Sequence, residues 1–192
     1  MKKITLIIAL LLSVCTYAQE NDGWIFGVGV NAVNDLGSES PVENIGDWAF
    51  KTPIALSAEK AWSKYFSLEI AGTINGFDKN EIEISDKKYT YYALDTNVKY
   101  YFGDHIIPSV KWLDMYASAG VGMFLLGEGD VLEHTGTGNV TGNLGGGFLF
   151  WLNKNQTFGL KTQVMAKFAA NNGDVGINTN HYQYTAQVIF KL

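Results

Sequence analysis

Four charged residues lie in segments whose polarity alternates, and their types and spacing could do electrostatic work: Glu59, Glu69, Lys99 and Lys161. Glu59 and Glu69 are nearly symmetrical about the short stretch WSK, residues 62–64, so a hairpin there would place them opposite each other on one face. Two adjacent carboxylates repel unless cations compensate them. Lys99 and Lys161 occupy alternate positions that face the same side of their strands as these glutamates, which we call inward parity, and they lie a similar number of residues from the strand ends. We therefore predict that the four side chains meet in a buried ionic network; the alternative is that the stagger of the strands carries them to different levels.

The three histidines, His105, His134 and His181, lie in or beside polar connecting segments. A serine nucleophile needs a base within hydrogen-bond reach and a third group that orients that base. His134 has Glu133 beside it, but the neighbouring hydroxyls belong to threonines. The sequence therefore predicts no enzyme. The alternative is catalysis through His134 or His181 with a residue from another loop.

Two further patterns could indicate a bound dinucleotide or a bound calcium ion. GVGVNA, residues 27–32, matches a dinucleotide fingerprint, but that fingerprint requires a strand that turns into a helix, and VNDLGSESP follows instead. Acidic residues crowd the polar loops without the spacing of a calcium site; these residues are Glu39, Glu43, Asp47, Asp78, Glu81, Glu83, Asp86, Glu128, Asp130 and Glu133. We predict neither a cofactor nor a metal, and treat these acidic loops as solvated surface that divalent ions could bridge to an anionic partner.

The N-terminus has the features of an export signal. Lys2 and Lys3 precede the apolar run ITLIIALLLSV, and TYA supplies the small residues of a cleavage site at Ala18. We assign residues 1–18 to a signal peptide and residues 19–192 to a single domain. A lipoprotein with Cys15 as its anchor is the alternative, although Val14 is a poor residue to precede a lipidated cysteine.

Composition excludes several classes of function for residues 19–192. This part has no cysteine, so disulfide and thiolate chemistry are excluded. Two of the 14 lysines lie in the signal, so this part has 12 lysines against 19 acidic residues. The chain has no arginine. A nucleic-acid partner would require a basic face, which this balance does not provide.

The charged candidates must be positioned by strands, because segments of period two recur along the chain. Most exceed five or six residues and suit the nine to eleven residues that a tilted strand needs to cross a membrane. The eight segments are WIFGVGVNAVN, KTPIALSAEKA, YFSLEIAGTINGF, YTYYALDTNVKYYF, WLDMYASAGVGMFLL, VTGNLGGGFLFWL, TFGLKTQVMAKFAA and the closing YQYTAQVIFKL. Long and short connections alternate strictly between them, which predicts that all long loops lie at one end of a meander.

The two faces of these segments differ in a way that indicates a membrane. One face is apolar and almost free of charge. The other is polar but rich in glycine, which suits the lining of a narrow barrel better than a water-facing skin. Aromatic residues gather at the segment ends like interfacial girdles; toward the short connections these are Trp24, Phe66, Tyr100, Phe102, Trp112, Phe150, Trp151, Phe158 and Phe190, and toward the long ones Trp48, Phe50, Tyr182 and Tyr184. The predicted fold is an all-β, eight-stranded antiparallel up-and-down transmembrane β-barrel, whose last strand must pair with its first to remove both edges.

Residues 22–192 resemble the eight-stranded membrane half of the outer membrane protein A family. The likeness rests on the topology, on GVGVNAV and NLGGGFLFWL, and on the terminal strand, which differs from the common C-terminal signal in that Leu192 follows Phe190. The resemblance implies an outer-membrane location with both termini periplasmic, contact with outer-membrane lipids and lipopolysaccharide, and recognition of the last strand by the barrel-insertion machinery. Larger members continue into a peptidoglycan-binding domain, and the sequence here ends before one.

The sequence therefore predicts a small non-catalytic outer-membrane barrel whose polar lumen is plugged, with a role in structural support and surface-loop interactions. Three alternatives remain at this point: a narrow passive pore for water or small ions, a lipid-modifying outer-membrane enzyme, and a soluble lipocalin-like carrier. Eight strands leave an interior that side chains can fill, which favours the plug over the pore.

Overall fold

The computed structural model describes residues 23–34, 41–42, 45, 48–77, 89–128, 136–170 and 180–192, and these residues form eight strands and one short helix. The strands are β1 (Trp24–Val33), β2 (Ile54–Ala61), β3 (Phe66–Phe77), β4 (Tyr89–Tyr101), β5 (Leu113–Glu128), β6 (Gly136–Trp151), β7 (Phe158–Ala169) and β8 (His181–Lys191), and the helix is α1 (Gly103–Ile106). The predicted signal peptide lies outside the described residues. Among the described residues, no helix is long and apolar enough to cross a membrane.

The strands form a closed antiparallel barrel in sequence order, as predicted. β1 pairs with β8 over a register that runs from Ile25 opposite Lys191 to Val33 opposite Gln183. The alternating pattern therefore continues to the end of the chain because the last strand supplies the hydrogen bonds that the edge of β1 would otherwise lack.

Burial alternates along the strands and confirms which face points inward. In β4, Leu94 is 52% exposed whereas its neighbour Asp95 is 4% exposed. Across the barrel the exposed face carries large apolar side chains, and the buried face carries Asn, Gln, Ser, Thr, Lys and Glu. This is the reverse of a soluble domain, in which the large apolar side chains are enclosed.

The prediction for one aromatic residue is wrong. Trp151 was assigned to the outer girdle by its residue type, but it is 7% exposed and lies inside the barrel. It keeps the inward parity of β6, and its indole Nε1 donates to Asp114 Oδ2 at 2.8 Å. Three other residues predicted for the same girdle, Trp24, Trp112 and Phe158, are exposed on the outer face.

The strict alternation of long and short connections is also wrong. Residues 102–112, between β4 and β5, contain α1 and are no shorter than residues 78–88. β5 and β6 both extend to 16 residues, which shortens the connection between them to residues 129–135. We use "loop side" for the end of the barrel with the β1–β2, β3–β4, β5–β6 and β7–β8 connections, and "turn side" for the end where β1 begins at Trp24 and β8 ends at Lys191.

β2 begins later than predicted because the pairing with β1 is interrupted. The register of β1 with β2 stops at Gly29 opposite Ala55, and pairing resumes at Val33 opposite Ala49. Pro53 lies in this interval and has no N–H to donate. The amide of Asn31 fills the interval, because its Nδ2 donates to the carbonyl oxygen of Ile54 at 2.7 Å.

Candidate functional site

The four predicted charged residues lie together in the lumen. Lys99 Nζ donates to Glu59 Oε2 at 2.8 Å and to Glu69 Oε1 at 2.7 Å. Lys161 Nζ approaches the same oxygen of Glu69 at 2.5 Å. All four side chains are at most 1% exposed. Two ammonium groups and two carboxylates thus form a neutral, fully enclosed group, which we call the ionic network.

The strand register explains how these residues meet. The β2–β3 hairpin pairs Glu59 directly with Glu69. Lys99 lies on the next strand, β4, and Lys161 lies on β7, four strands away from β3. In a closed barrel of eight strands, four steps lead to the opposite wall. The ion pair of Lys161 with Glu69 therefore spans the lumen.

Hydroxyl groups complete the coordination of the network. Ser67 Oγ donates to Glu59 Oε1 at 2.6 Å, and the hydroxyl of Tyr101 donates to the same oxygen. Ser57 Oγ accepts from Lys161 Nζ at 2.7 Å and donates to Gln187 Oε1 at 3.0 Å. Buried charges are tolerated where such additional hydrogen bonds satisfy them.

An apolar cluster lies on the turn side of the network. It consists of Tyr116, Leu149, Trp151 and Ile189, and all four are at most 7% exposed. Lys99 Nζ lies 4.4 Å from the centre of the Tyr116 ring, a cation–π distance. The Tyr116 hydroxyl donates to Gln163 Oε1 on β7 at 2.9 Å. This turn-side cluster separates the network from the mouth of the barrel.

A second ion pair lies nearer the loop side. Lys167 Nζ is 2.9 Å from Asp95 Oδ1 and 2.7 Å from Oδ2, and Asn143 Nδ2 donates to Asp95 Oδ1 at 2.9 Å. Gly122 makes room for this carboxylate, since a Cβ at that position would lie 1.9 Å from Asp95 Oδ1. We call Asp95 and Lys167 the upper ion pair.

Aromatic and apolar residues cover the upper ion pair on its loop side. This loop-side cluster consists of Val33, Ala49, Phe77, Tyr91, Ala93 and Phe124. His181, 2% exposed, lies among them; its Nε2 is 2.8 Å from the Tyr91 hydroxyl, and its ring packs edge-on against Phe124 with centroids 5.0 Å apart. β4 and β8 lie on opposite walls, so the contact of Tyr91 with His181 also spans the lumen.

A small cavity remains between the two ionic groups. Its volume is about 20 Å³, and Glu69, Asp95, Gln163 and Gln183 contribute to its walls. One water molecule needs roughly 10–15 Å³ on this measure. The described lumen at this level therefore has room for a water molecule but not for a hydrated ion.

A third charged group, the turn-end triad, lies outside the lumen. Asp104 at the start of α1 is 3.3 Å from Lys64 Nζ and 3.1 Å from Lys111 Nζ, and both lysine side chains are more than half exposed. The hydrogen bonds from Lys111 and Lys64 hold the pKa of the Asp104 carboxyl below its ordinary value. Hydrogen bonds with Tyr65 and Asp104 raise the pKa of Lys64.

Several partners of the predicted residues were not predicted from the sequence. Tyr101, Ser57 and Ser67 coordinate the network, and none of them was singled out. Asp95 and Lys167 had the inward parity but were not predicted to pair. The hydroxyls on neighbouring strands could have been predicted, because they face inward and lie at the same distance from the strand ends as the charged residues. The contact of Asp95 on β4 with Lys167 on β7 depends on the stagger of the strands around the barrel.

The candidates for catalysis and metal binding are placed as follows. His105 is exposed on α1 and its ring lies tilted against that of Tyr65, with centroids 4.7 Å apart. His181 points into the lumen, and His134 lies outside the described residues. Within the described ranges, no three His, Cys, Asp or Glu side chains are grouped closely enough to hold a metal ion.

Comparison with solved structures identifies the same fold in bacterial outer-membrane proteins. The N-terminal β-barrel domain of Pseudomonas aeruginosa OprF is 13% identical, with a TM-score of 0.55 over 90% of this chain and 98% of that chain. Neisserial surface protein A is 12% identical, with a TM-score of 0.59 over 90% and 100%. The attachment invasion locus protein Ail of Yersinia pestis is 10% identical, with a TM-score of 0.51 over 89% and 97%.

A scan against protein-family models and a search of curated proteins found no match to the sequence. At these low identities the structural likeness establishes the fold, and it confirms the resemblance to eight-stranded outer-membrane barrels at that level.

Proposed function

We propose that this chain is a non-catalytic outer-membrane barrel with a plugged lumen, which supports the membrane and presents surface loops. One observation carries the proposal: side chains from opposite walls join in the middle of the lumen, where Lys161 meets Glu69 and Tyr91 meets His181. A barrel that conducts needs a continuous aqueous path, and these contacts close it.

Charge balance supports the plug over a pore. The ionic network and the upper ion pair together contain three carboxylates and three ammonium groups, each paired with an opposite charge. A lumen of this kind offers a passing ion no net attraction. The two apolar clusters on either side would also have to be wetted before an ion could enter.

The outer surface supports a membrane location. Large apolar side chains are exposed along the strands, such as Val121 at 62% and Leu144 at 59%. A soluble monomer tolerates contiguous apolar patches of a few hundred Å², and this face extends around the barrel. The solved barrels with the same fold come from outer membranes, which is consistent with this location.

The expected partners follow from this placement. Outer-membrane lipids would cover the apolar belt, lipopolysaccharide would surround the loop side, and the insertion machinery would recognise β8 through its alternating pattern and Phe190. β1 begins and β8 ends on the turn side, and we assign this side and both termini to the periplasm because β-barrels of this class have their short turns there. One structural neighbour is named for attachment and invasion, and presentation of the loops to a surface partner is the corresponding role here.

Planar-bilayer recording tests the plug. We expect the refolded wild-type protein to give no steady ion conductance, while it shows heat-modifiable migration on a gel, as folded outer-membrane barrels do. The variant with Glu69→Gln and Lys161→Met removes the contact across the lumen and should conduct more often than wild type. Steady conductance by the wild-type protein would favour the passive pore instead. A monodisperse fold in plain buffer without detergent would contradict the membrane assignment.

A further inference from the structure

The turn-side mouth of the barrel contains a blind pocket that the plug does not use. Its volume is about 260 Å³, and strand ends and turns from around the barrel contribute to its walls. The deep end is apolar and aromatic, and consists of Ile25, Tyr101, Leu149 and Trp151. Leu149 and Trp151 belong to the turn-side cluster, and the Tyr101 hydroxyl donates to Glu59 of the ionic network, so this end adjoins the plug.

The rim of this mouth pocket has an excess of positive charge. Three lysines and two aspartates line it: Lys64, Lys111, Lys191, Asp104 and Asp114. Asp104 is shared by two of the lysines, and Asp114 accepts the indole hydrogen of the Trp151 side chain. Both carboxylates are thus engaged already, and an ammonium group has three N–H donors, so Lys64 and Lys111 retain donors for a ligand.

Lys191 is the most informative group of the rim. It has the inward parity of β8 and is half-buried, and its aliphatic stem lies against Gly23, where a Cβ would be 2.9 Å from Lys191 Cε. Among the described residues, its ammonium group has no hydrogen bond or ion pair. A half-buried cation with no partner among the described residues, above an aromatic floor, attracts an anion whose apolar part can replace water on that floor.

We propose that the mouth pocket binds a small organic carboxylate with a compact apolar body. The apolar part lies against Leu149 and the Trp151 indole, and the carboxylate accepts hydrogen bonds from the Lys191 ammonium, with Lys64 and Lys111 adding to the positive potential. Pockets for small ligands combine an apolar lining with a few placed polar groups in this way. The inference rests on the fold and on the pocket alone, and it holds whether or not the lumen conducts.

The test uses the full barrel, refolded in a zwitterionic detergent, with 3-phenylpropionate as the probe. The NMR signal of the Trp151 indole N–H reports on the floor of the pocket. We expect 3-phenylpropionate to shift this signal in a saturable manner, 3-phenylpropanamide to bind at least about fivefold more weakly because it lacks the charge, and acetate to leave the floor unaffected.

Variants locate the charge that recognises the probe. Lys191→Gln should raise the Kd for 3-phenylpropionate about fivefold or more, Lys191→Arg should keep binding near wild type, and Lys154→Gln, on an exposed turn outside the pocket, should change nothing. Equal affinities for the acid and the amide, no shift of the Trp151 signal, or an unchanged Kd in Lys191→Gln would each overturn the proposal. If Lys191→Gln does not fold, the acid–amide comparison on the wild-type protein still decides.

Discussion

The ionic network and the turn-end triad use the same chemistry in opposite surroundings. In each, two lysines share a carboxylate: Lys99 and Lys161 meet at Glu69, and Lys64 and Lys111 meet at Asp104. The lysine side chains of the network are at most 1% exposed, whereas those of the triad are 66% and 71% exposed. An exposed ion pair adds little stability, because each charge is well hydrated on its own. In a buried ion pair, removal of one charge leaves the other buried and unpaired, which is strongly destabilising. The comparison teaches that burial, more than the number of contacts, decides what such a group contributes.

The largest effect should come from Lys99→Met. This change removes the cation that contacts both carboxylates, and leaving them buried should lower the free energy of unfolding by about 3 kcal/mol. Urea titration of the barrel in lipid vesicles, followed by tryptophan fluorescence, measures it. Lys154→Met on an exposed turn is the control and should have little effect. A loss below about 1 kcal/mol for Lys99→Met would mean that the network is hydrated and not buried.

A steric change should extend the comparison to the upper ion pair without removing any charge. In Gly122→Ala the new Cβ would lie 1.9 Å from Asp95 Oδ1 and must displace the carboxylate from Lys167. We expect a loss of about 2 kcal/mol in the same titration. Gly142→Ala is the matched control, because a Cβ at that position meets nothing within 4 Å. Equal effects of the two alanines would contradict the role given to Gly122.

Loss of one neutral partner should have a smaller effect than loss of a charge. Ser57→Ala removes the hydroxyl that accepts from Lys161 and donates to Gln187. Because Lys161 keeps Glu69, the expected loss is about 1 kcal/mol. Ser109→Ala, in the exposed 102–112 connection, should be neutral. If Ser57→Ala costs as much as Lys99→Met, hydroxyl coordination and not charge pairing holds the network together.

The smallest effect belongs to the turn-end triad. Asp104→Asn should leave the unfolding midpoint at neutral pH unchanged within error, because all three side chains are solvated. NMR titration should place the Asp104 pKa below its ordinary value of 3.8 and the Lys64 pKa above 10.5. Because the Asp104 pKa is lowered in the folded protein, any contribution of this carboxylate to stability is present above pH 3.8 and is lost as the pH falls through the lowered pKa. The contribution from Lys64 is present below pH 10.5 and is lost as the pH rises through its raised pKa. A clear shift of the unfolding midpoint in Asp104→Asn would contradict the claim that the exposed triad contributes much less to stability than the buried ionic network.

The sequence determined the strands, their faces and the closure of the barrel. A period of two is a local property, and it persists through Asp95, Asn97 and Lys99 regardless of what lies across the lumen. Parity was a better guide than residue type. Trp151 has the parity of Gly145 and Gly147 and points inward with them, although a tryptophan at a strand end is typical of a membrane interface.

Which inward residues from distant strands meet depends on how all eight strands are placed around the barrel. Glu59 and Glu69 are neighbours through one hairpin, so the sequence was enough to place them together. Lys161 could be placed near Glu69 only by counting residues from the strand ends. Lys167 with Asp95 and Tyr91 with His181, which the sequence did not predict, are likewise contacts between strands that do not pair. Their levels depend on the stagger that accumulates from strand to strand around a closed barrel. That stagger is a property of all eight registers together, and no single segment of the sequence encodes it.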